Sequence, residues 1–87
     1  MTKVVNKYRD KYDAYIGRPS PYGNPYSVKE YGREGCIKMY KNYFYERIAS
    51  DAKFKEAVLK LKDKTLGCFC KPLACHGDVI KEYLDNN

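Results

Sequence analysis

The sequence predicts a small α/β layer of about three strands, largely parallel, with three helices, in one domain over residues 1–87. Three observations predict it. Short runs of β-branched and apolar residues stand at Lys3–Asn6 and Thr65–Cys70. Between and after them, apolar residues recur at three- and four-residue steps, the helical period. Strands separated in this way by helices favour parallel pairing over hairpins.

Lys3-Val4-Val5-Asn6 reads as the first strand, and Tyr12–Gly17 as a second extended run. From Arg18 to Tyr26, three prolines, a glycine and an asparagine in nine residues exclude helix and regular strand. That stretch is a rigid, shaped loop. A helix is expected from about Arg33 to Ala49, with Ile37, Tyr40, Phe44 and Ile48 as its apolar stripe. Lys38, Lys41 and Glu46 fall off the stripe. Ser50 suits the cap of a second helix, Asp51 to about Leu61, burying Phe54, Ala57, Val58 and Leu61.

Lys62-Asp63-Lys64 makes a turn. Thr65–Cys70 then reads as a buried strand, with Leu66, Cys68 and Cys70 on one face and Gly67 and Phe69 on the other. Lys71-Pro72 ends it. The last helix runs from Leu73 or Cys75 to Leu84 and buries Val79, Ile80, Tyr83 and Leu84. There is no repeat and no linker.

Composition narrows the function. Seventeen Lys and Arg against eleven Asp and Glu give a net charge of +6, which favours an anionic partner: nucleic acid, nucleotide or phosphate. A mean hydropathy of −0.74 leaves little apolar residue to spare, so burial must be efficient or shared with another copy. No N-terminal apolar run resembles a signal peptide, and no stretch approaches membrane-spanning length. A cytoplasmic location with reduced thiols is therefore expected, and the four cysteines are not read as a disulfide framework. The ten tyrosines supply apolar area with polar tips.

The densest chemistry is the stretch GCFCKPLACHGD, residues 67–78, which holds three cysteines and the only histidine. It admits four readings. Cys68, Cys70, Cys75 and His76 are the right number and type for a zinc ion. Their spacing is unusual, because one residue separates Cys68 from Cys70 and none separates Cys75 from His76. Adjacent residues on a helix point about 100° apart and seldom reach one ion. Alternatively, Cys75 at a helix start is a reactive thiol, with His76 as base. A third reading is packing, which suits Cys68 on a central strand and Cys36 on the first helix. In the fourth, Lys71–Asp78 lies beyond the C-terminal ends of the strands, where α/β folds bind ligands, and its small residues admit a ligand closely.

The Gly/Pro loop is the second candidate. Arg9 and Arg18 suit a phosphate or carboxylate, and Ser20 and Asn24 offer neutral bonds of the kind a ribose needs. The alternative is a surface turn with solvated arginines. A proline-fixed loop after a strand loses little entropy on binding, which favours the ligand-binding reading.

Together VVNKYRD, YIGRPSPYGNPY and LGCFCKPLACHGDVI span nearly the whole chain. They resemble a family of small bacterial and phage proteins known only as a domain of unknown function, with the pattern VVN-R, YIGR-S-xGNP and LGCxC-P-xCHGD. The resemblance carries Asn6, Arg9, Gly17, Arg18, Ser20, Gly23, Asn24, Cys68, Cys70, Cys75, His76, Gly77 and Asp78 as motif residues. The chain departs from it at Tyr22, where an indole is frequent, and at Pro19, where glycine is frequent. It implies that the motifs belong together and names no reaction.

The expected function is therefore binding of a phosphate-bearing, nucleotide-like small molecule, without a resident cofactor. The pocket would lie between the Gly/Pro loop and residues 70–78. Arg9 and Arg18 would take phosphate. Ser20 and Asn24 would take ribose or base. Asn6 and Cys70, Cys75, His76, Gly77 and Asp78 would complete the walls. A phage-encoded copy would work in the host cytoplasm, sequestering a host defence signal such as ADP-ribose or a cyclic nucleotide. Self-association would deepen so small a pocket. Two alternatives stay open: an enzyme on the same ligand class using Cys75, His76 and Asp78, and a zinc-stabilised nucleic-acid binder.

Overall fold

A computed structural model describes residues 1–18, 20–68 and 73–86. In chain order the elements are β1 (Lys3–Asn6), β2 (Ala14–Tyr15), α1 (Val28–Ser50), α2 (Ala52–Leu59), β3 (Thr65–Cys68) and α3 (Gly77–Asp85). Phe69 and Cys70, the predicted end of the third strand, lie outside the described residues.

The three strands form one parallel sheet in the order β1-β3-β2. Val4 pairs with Leu66, Asn6 with Cys68, and Tyr15 with Gly67. The second extended run registers as strand only at Ala14–Tyr15, but backbone bonds from Asp13 N–H to Thr65 and from Ile16 N–H to Gly67 continue it on both sides. Every described strand pairing therefore passes through β3. Its Leu66 and Cys68 are fully buried in the core beneath the helices. Gly67 faces the other way, where the ring of Tyr12 lies so close that a Cβ would meet its Cγ at 2.6 Å. Tyr15, the register partner of Gly67, shares that face and has Lys7 Nζ 4.5 Å from its ring centroid.

The core sits between the sheet and the three helices. Phe44 is its hub, with ring centroids of Tyr40, Phe54 and Tyr83 at 5.9, 5.8 and 5.5 Å. Burying a side chain of that size contributes about 2–3 kcal/mol. The predicted stripe of α1 divides: Tyr40 and Phe44 are buried, while Ile37 and Ile48 pack at the margin. From α3, Val79, Ile80, Tyr83 and Leu84 are all buried.

Helix α1 starts earlier than its apolar period indicates. Ser27 caps it, accepting from Lys29 N–H at 3.2 Å. The opening turn then meets Gly32, whose φ of 73° lies in the left-handed region and kinks the helix before Arg33. The cap of α2 is Asp51, not Ser50. Asp51 Oδ1 accepts from Phe54 N–H at 3.1 Å, whereas Ser50 Oγ donates back to the Glu46 carbonyl inside α1. Helix α2 ends at Leu59, and Leu61 is buried from the turn that follows. Helix α3 starts at Gly77, after the residues that sequence placed in its first turn. Gly77 is tightly housed: a Cβ there would meet Ile16 Cδ1 at 2.7 Å and Val4 Cγ1 at 2.9 Å. The close approach seats the helix start directly on the sheet.

Candidate functional site

A cavity of about 290 Å³ opens between the Gly/Pro loop, the first turns of α1 and the segment leading into α3. The loop gives it Gly17, Arg18, Asn24 and Tyr26. Helix α1 and its cap give Ser27, Val28, Lys29, Arg33, Cys36 and Ile37. The last wall is Ala74, Cys75 and His76.

The loop is fixed from within. Asn24 is buried, and its side chain is fully committed. Its Nδ2 donates to the Cys36 carbonyl at 3.3 Å and to Cys36 Sγ at 3.0 Å. Its Oδ1 accepts from Tyr26 N–H at 2.8 Å. The Cys36 thiol in turn donates to the Tyr26 carbonyl at 2.9 Å. Tyr15 OH donates to the Arg18 carbonyl at 2.9 Å, and Tyr40 OH to the Tyr22 carbonyl at 2.8 Å. These bonds turn the loop's polar groups inward and leave the Arg18 side chain outside.

Three cations border the opening. Arg18 and Lys29 are exposed. Arg33 is half-buried and donates from Nη1 to the Ala74 carbonyl at 3.1 Å, tying α1 to the last wall. Among the described residues none of the three is paired with a carboxylate. Their charge is therefore available to an anion.

The last wall mixes inert and available groups. Cys68 Sγ and Cys75 Sγ lie 3.1 Å apart, both buried. The hydrogen bond between its thiol and Cys68, and then burial, push the Cys75 thiol up, so it stays protonated. Asp78 Oδ2 accepts from Cys75 N–H at 3.2 Å. His76 is buried against Tyr40, ring centroid to centroid 5.1 Å, and its Nε2 lies 2.7 Å from the Ile16 carbonyl. Burial lowers the His76 pKa, the Ile16 bond and Asp78 oppose this, and the charge of Arg18 adds to the lowering.

As for zinc, no group of three or more His, Cys, Asp or Glu is placed to hold a metal among the described residues. Zinc at about 2.3 Å from each sulfur would hold two thiolates further apart than the 3.1 Å of Cys68 and Cys75. Cys70, the remaining thiol of that set, lies outside the described residues.

Of the residues singled out from sequence, Arg18, Asn24, Cys75 and His76 line the cavity. Five others do structural work elsewhere or lie apart. Asn6 Oδ1 accepts from Tyr8 N–H at 2.8 Å and shapes the turn after β1. Arg9 is exposed in that turn. Ser20 bonds through its backbone to Gly17 and Gly23, and its Oγ is buried without a partner. Gly77 packs on the sheet, and Asp78 holds the turn into α3. Sequence reasoning missed Lys29 and Arg33 because it started α1 at Arg33. The missed signal was Ser27 followed three residues later by Glu30, the spacing of a capping box.

A parallel three-stranded α/β domain with a cation-bordered cavity beyond the strand ends is thus the class this chain falls in. Residues 2–86 match the family described as a domain of unknown function, DUF4326, and the chain belongs to that family. It is also 42% identical over 81 residues to the "uncharacterized 12.4 kDa protein in nrdA-td intergenic region" of Enterobacteria phage T4, covering 92% of this chain and 74% of that protein. No solved structure matches the chain.

Proposed function

We propose that the chain binds a phosphate-bearing, nucleotide-like small molecule in this cavity. The observation that carries the reading is the convergence of Arg18, Lys29 and Arg33, none paired with a carboxylate among the described residues, on a pre-built cavity. Arginine and lysine there suit a phosphate, and the apolar wall of Val28, Cys36 and Ile37 suits a sugar or base. The Asn24 clamp means that little ordering entropy is lost on binding.

Binding is favoured over turnover on the same ground. The Cys75 thiol is held protonated and the Asp78 carboxylate is engaged by Cys75 N–H, so neither offers a ready nucleophile. The wider role we attach to the activity is sequestration of a host nucleotide signal; the phage T4 relative supports only the phage setting of that role. The test is thermal unfolding with AMP and with ADP-ribose, followed by recovery of the ligand from denatured protein. The expected result is a raised Tm, ligand returned unchanged, and loss of the shift in Arg18→Ala, whose own Tm stays near wild type. No shift with either compound, or an undiminished shift in Arg18→Ala, would overturn the reading. A chemically altered ligand would make the protein an enzyme.

A further inference from the structure

His76 lines the cavity, and among the described residues one of its ring nitrogens is committed and the other is not. Nε2 lies 2.7 Å from the Ile16 carbonyl oxygen. A carbonyl only accepts, so Nε2 carries the proton. In the neutral ring the lone pair is then on Nδ1. Burial favours the neutral ring and the Arg18 charge adds to this, against the opposing Ile16 bond and Asp78. Among the described residues Nδ1 has no hydrogen-bond partner, and it is not sealed from solvent, since the one buried side-chain N or O atom there without a partner is Ser20 Oγ. His76 is a lining residue of the cavity, so a ligand there would be the donor within reach of Nδ1.

This acceptor discriminates. A lone pair on the inner wall repels a phosphate oxygen and rewards a hydroxyl or an N–H. The cations come from the loop and from α1, and Arg33 reaches the Ala74 carbonyl of the wall that carries His76. The nearby Asn24 amide cannot substitute, because both its ends are taken up by Cys36 and Tyr26. At about 290 Å³ the cavity sits at the lower edge of small-molecule sites, which run from roughly 300 to 1,000 Å³. That suits a single ribose phosphate unit better than a dinucleotide.

We infer that the site takes a ribose phosphate or mononucleotide in one orientation, its phosphate at Arg18, Lys29 and Arg33 and a sugar hydroxyl donating to His76 Nδ1. The inference rests on the binding role proposed above and adds the ligand's size and polarity.

The test uses ribose 5-phosphate and inorganic phosphate as calorimetric probes. Wild type should bind ribose 5-phosphate more tightly. In His76→Gln the side-chain amide can still donate to the Ile16 carbonyl, while its acceptor Oε1 sits off the position that Nδ1 held. The ratio of the two affinities should fall about tenfold, the value of one lost hydrogen bond. An unchanged ratio overturns the His76 assignment while leaving the phosphate site standing. Failure of wild type to bind either probe removes both. Should the variant not fold, imidazole ¹⁵N NMR of wild type decides alone. A protonated Nε2, with an Nδ1 resonance that moves upon adding ribose 5-phosphate, supports the inference. An Nδ1–H tautomer, or an unmoved Nδ1 resonance in saturated protein, overturns it.

Discussion

Two irregular segments wall the cavity, and they are held by different means. Residues 17–18 and 20–26 are held by side chain to backbone bonds. Asn24 alone joins the loop to α1 through Cys36 and closes the Tyr26 turn. Residues 73–78 are held chiefly by packing: paired thiols against β3, the His76 ring on Tyr40, and Gly77 pressed onto Ile16 and Val4. The difference teaches how to weigh a polar motif residue. Asn24 and His76 both line the cavity, yet among the described residues every polar end of Asn24 is engaged, and one nitrogen of His76 is not. A side chain's vacancy, rather than its polarity, marks it for a ligand.

The comparison can be broken in order of expected effect. Asn24→Ala should cost the most, about 2–3 kcal/mol in urea unfolding, because it strips partners from Cys36 and from Tyr26 N–H while both stay buried or half-buried. A loss under about 0.5 kcal/mol would show that the loop is held by something other than this clamp. Gly77→Ala comes next, at about 1 kcal/mol. The added methyl meets the ends of the Ile16 and Val4 side chains, which can shift, and helix propensity returns part of the cost. A stabilised variant would mean that the approach of α3 to the sheet is looser than the packing account requires.

The smallest effect is a pH dependence. His76 is the only histidine, and its native pKa is depressed by burial, with Arg18 adding to it. Near pH 6 the unfolded chain therefore binds more protons than the native one. Stability should fall as pH drops below the unfolded value of about 6.5 and flatten below the native value. This window lies above the one in which Asp51 and Asp85 titrate, since hydrogen bonds hold both below the usual carboxylate range. Urea midpoints across pH should show the decline in wild type and none in His76→Gln. An equal decline in both would assign it to another group.

Much of the fold was legible because it depends on period and local chemistry. Lys3–Asn6, the Tyr40–Phe44 stripe and the buried set of α3 follow from alternation and the helical repeat. The parallel sheet follows from strands spaced by helices. The start of α1 was obscured because the kink at Gly32 breaks the apolar repeat, although the cap spacing was present. The candidate site was legible only in part. Arg18, Cys75 and His76 stand out by type, and their neighbourhood is a cavity wall. Which atoms remain available was not legible, since Asn24 meets Cys36 twelve residues away and His76 meets Ile16 sixty residues away. No local pattern encodes such pairings.

The central place of β3 has a consequence for synthesis. Neither β1 nor β2 has a strand partner other than β3 among the described residues, and β3 begins only at Thr65. While the ribosome is still making α1 and α2, both earlier strands wait with open edges. A nascent chain at that stage can form its helices, whose contacts are local, but no sheet. The sheet face that carries Tyr12 and Tyr15 and the walls of the cavity come together late, when the last quarter of the chain emerges to join them.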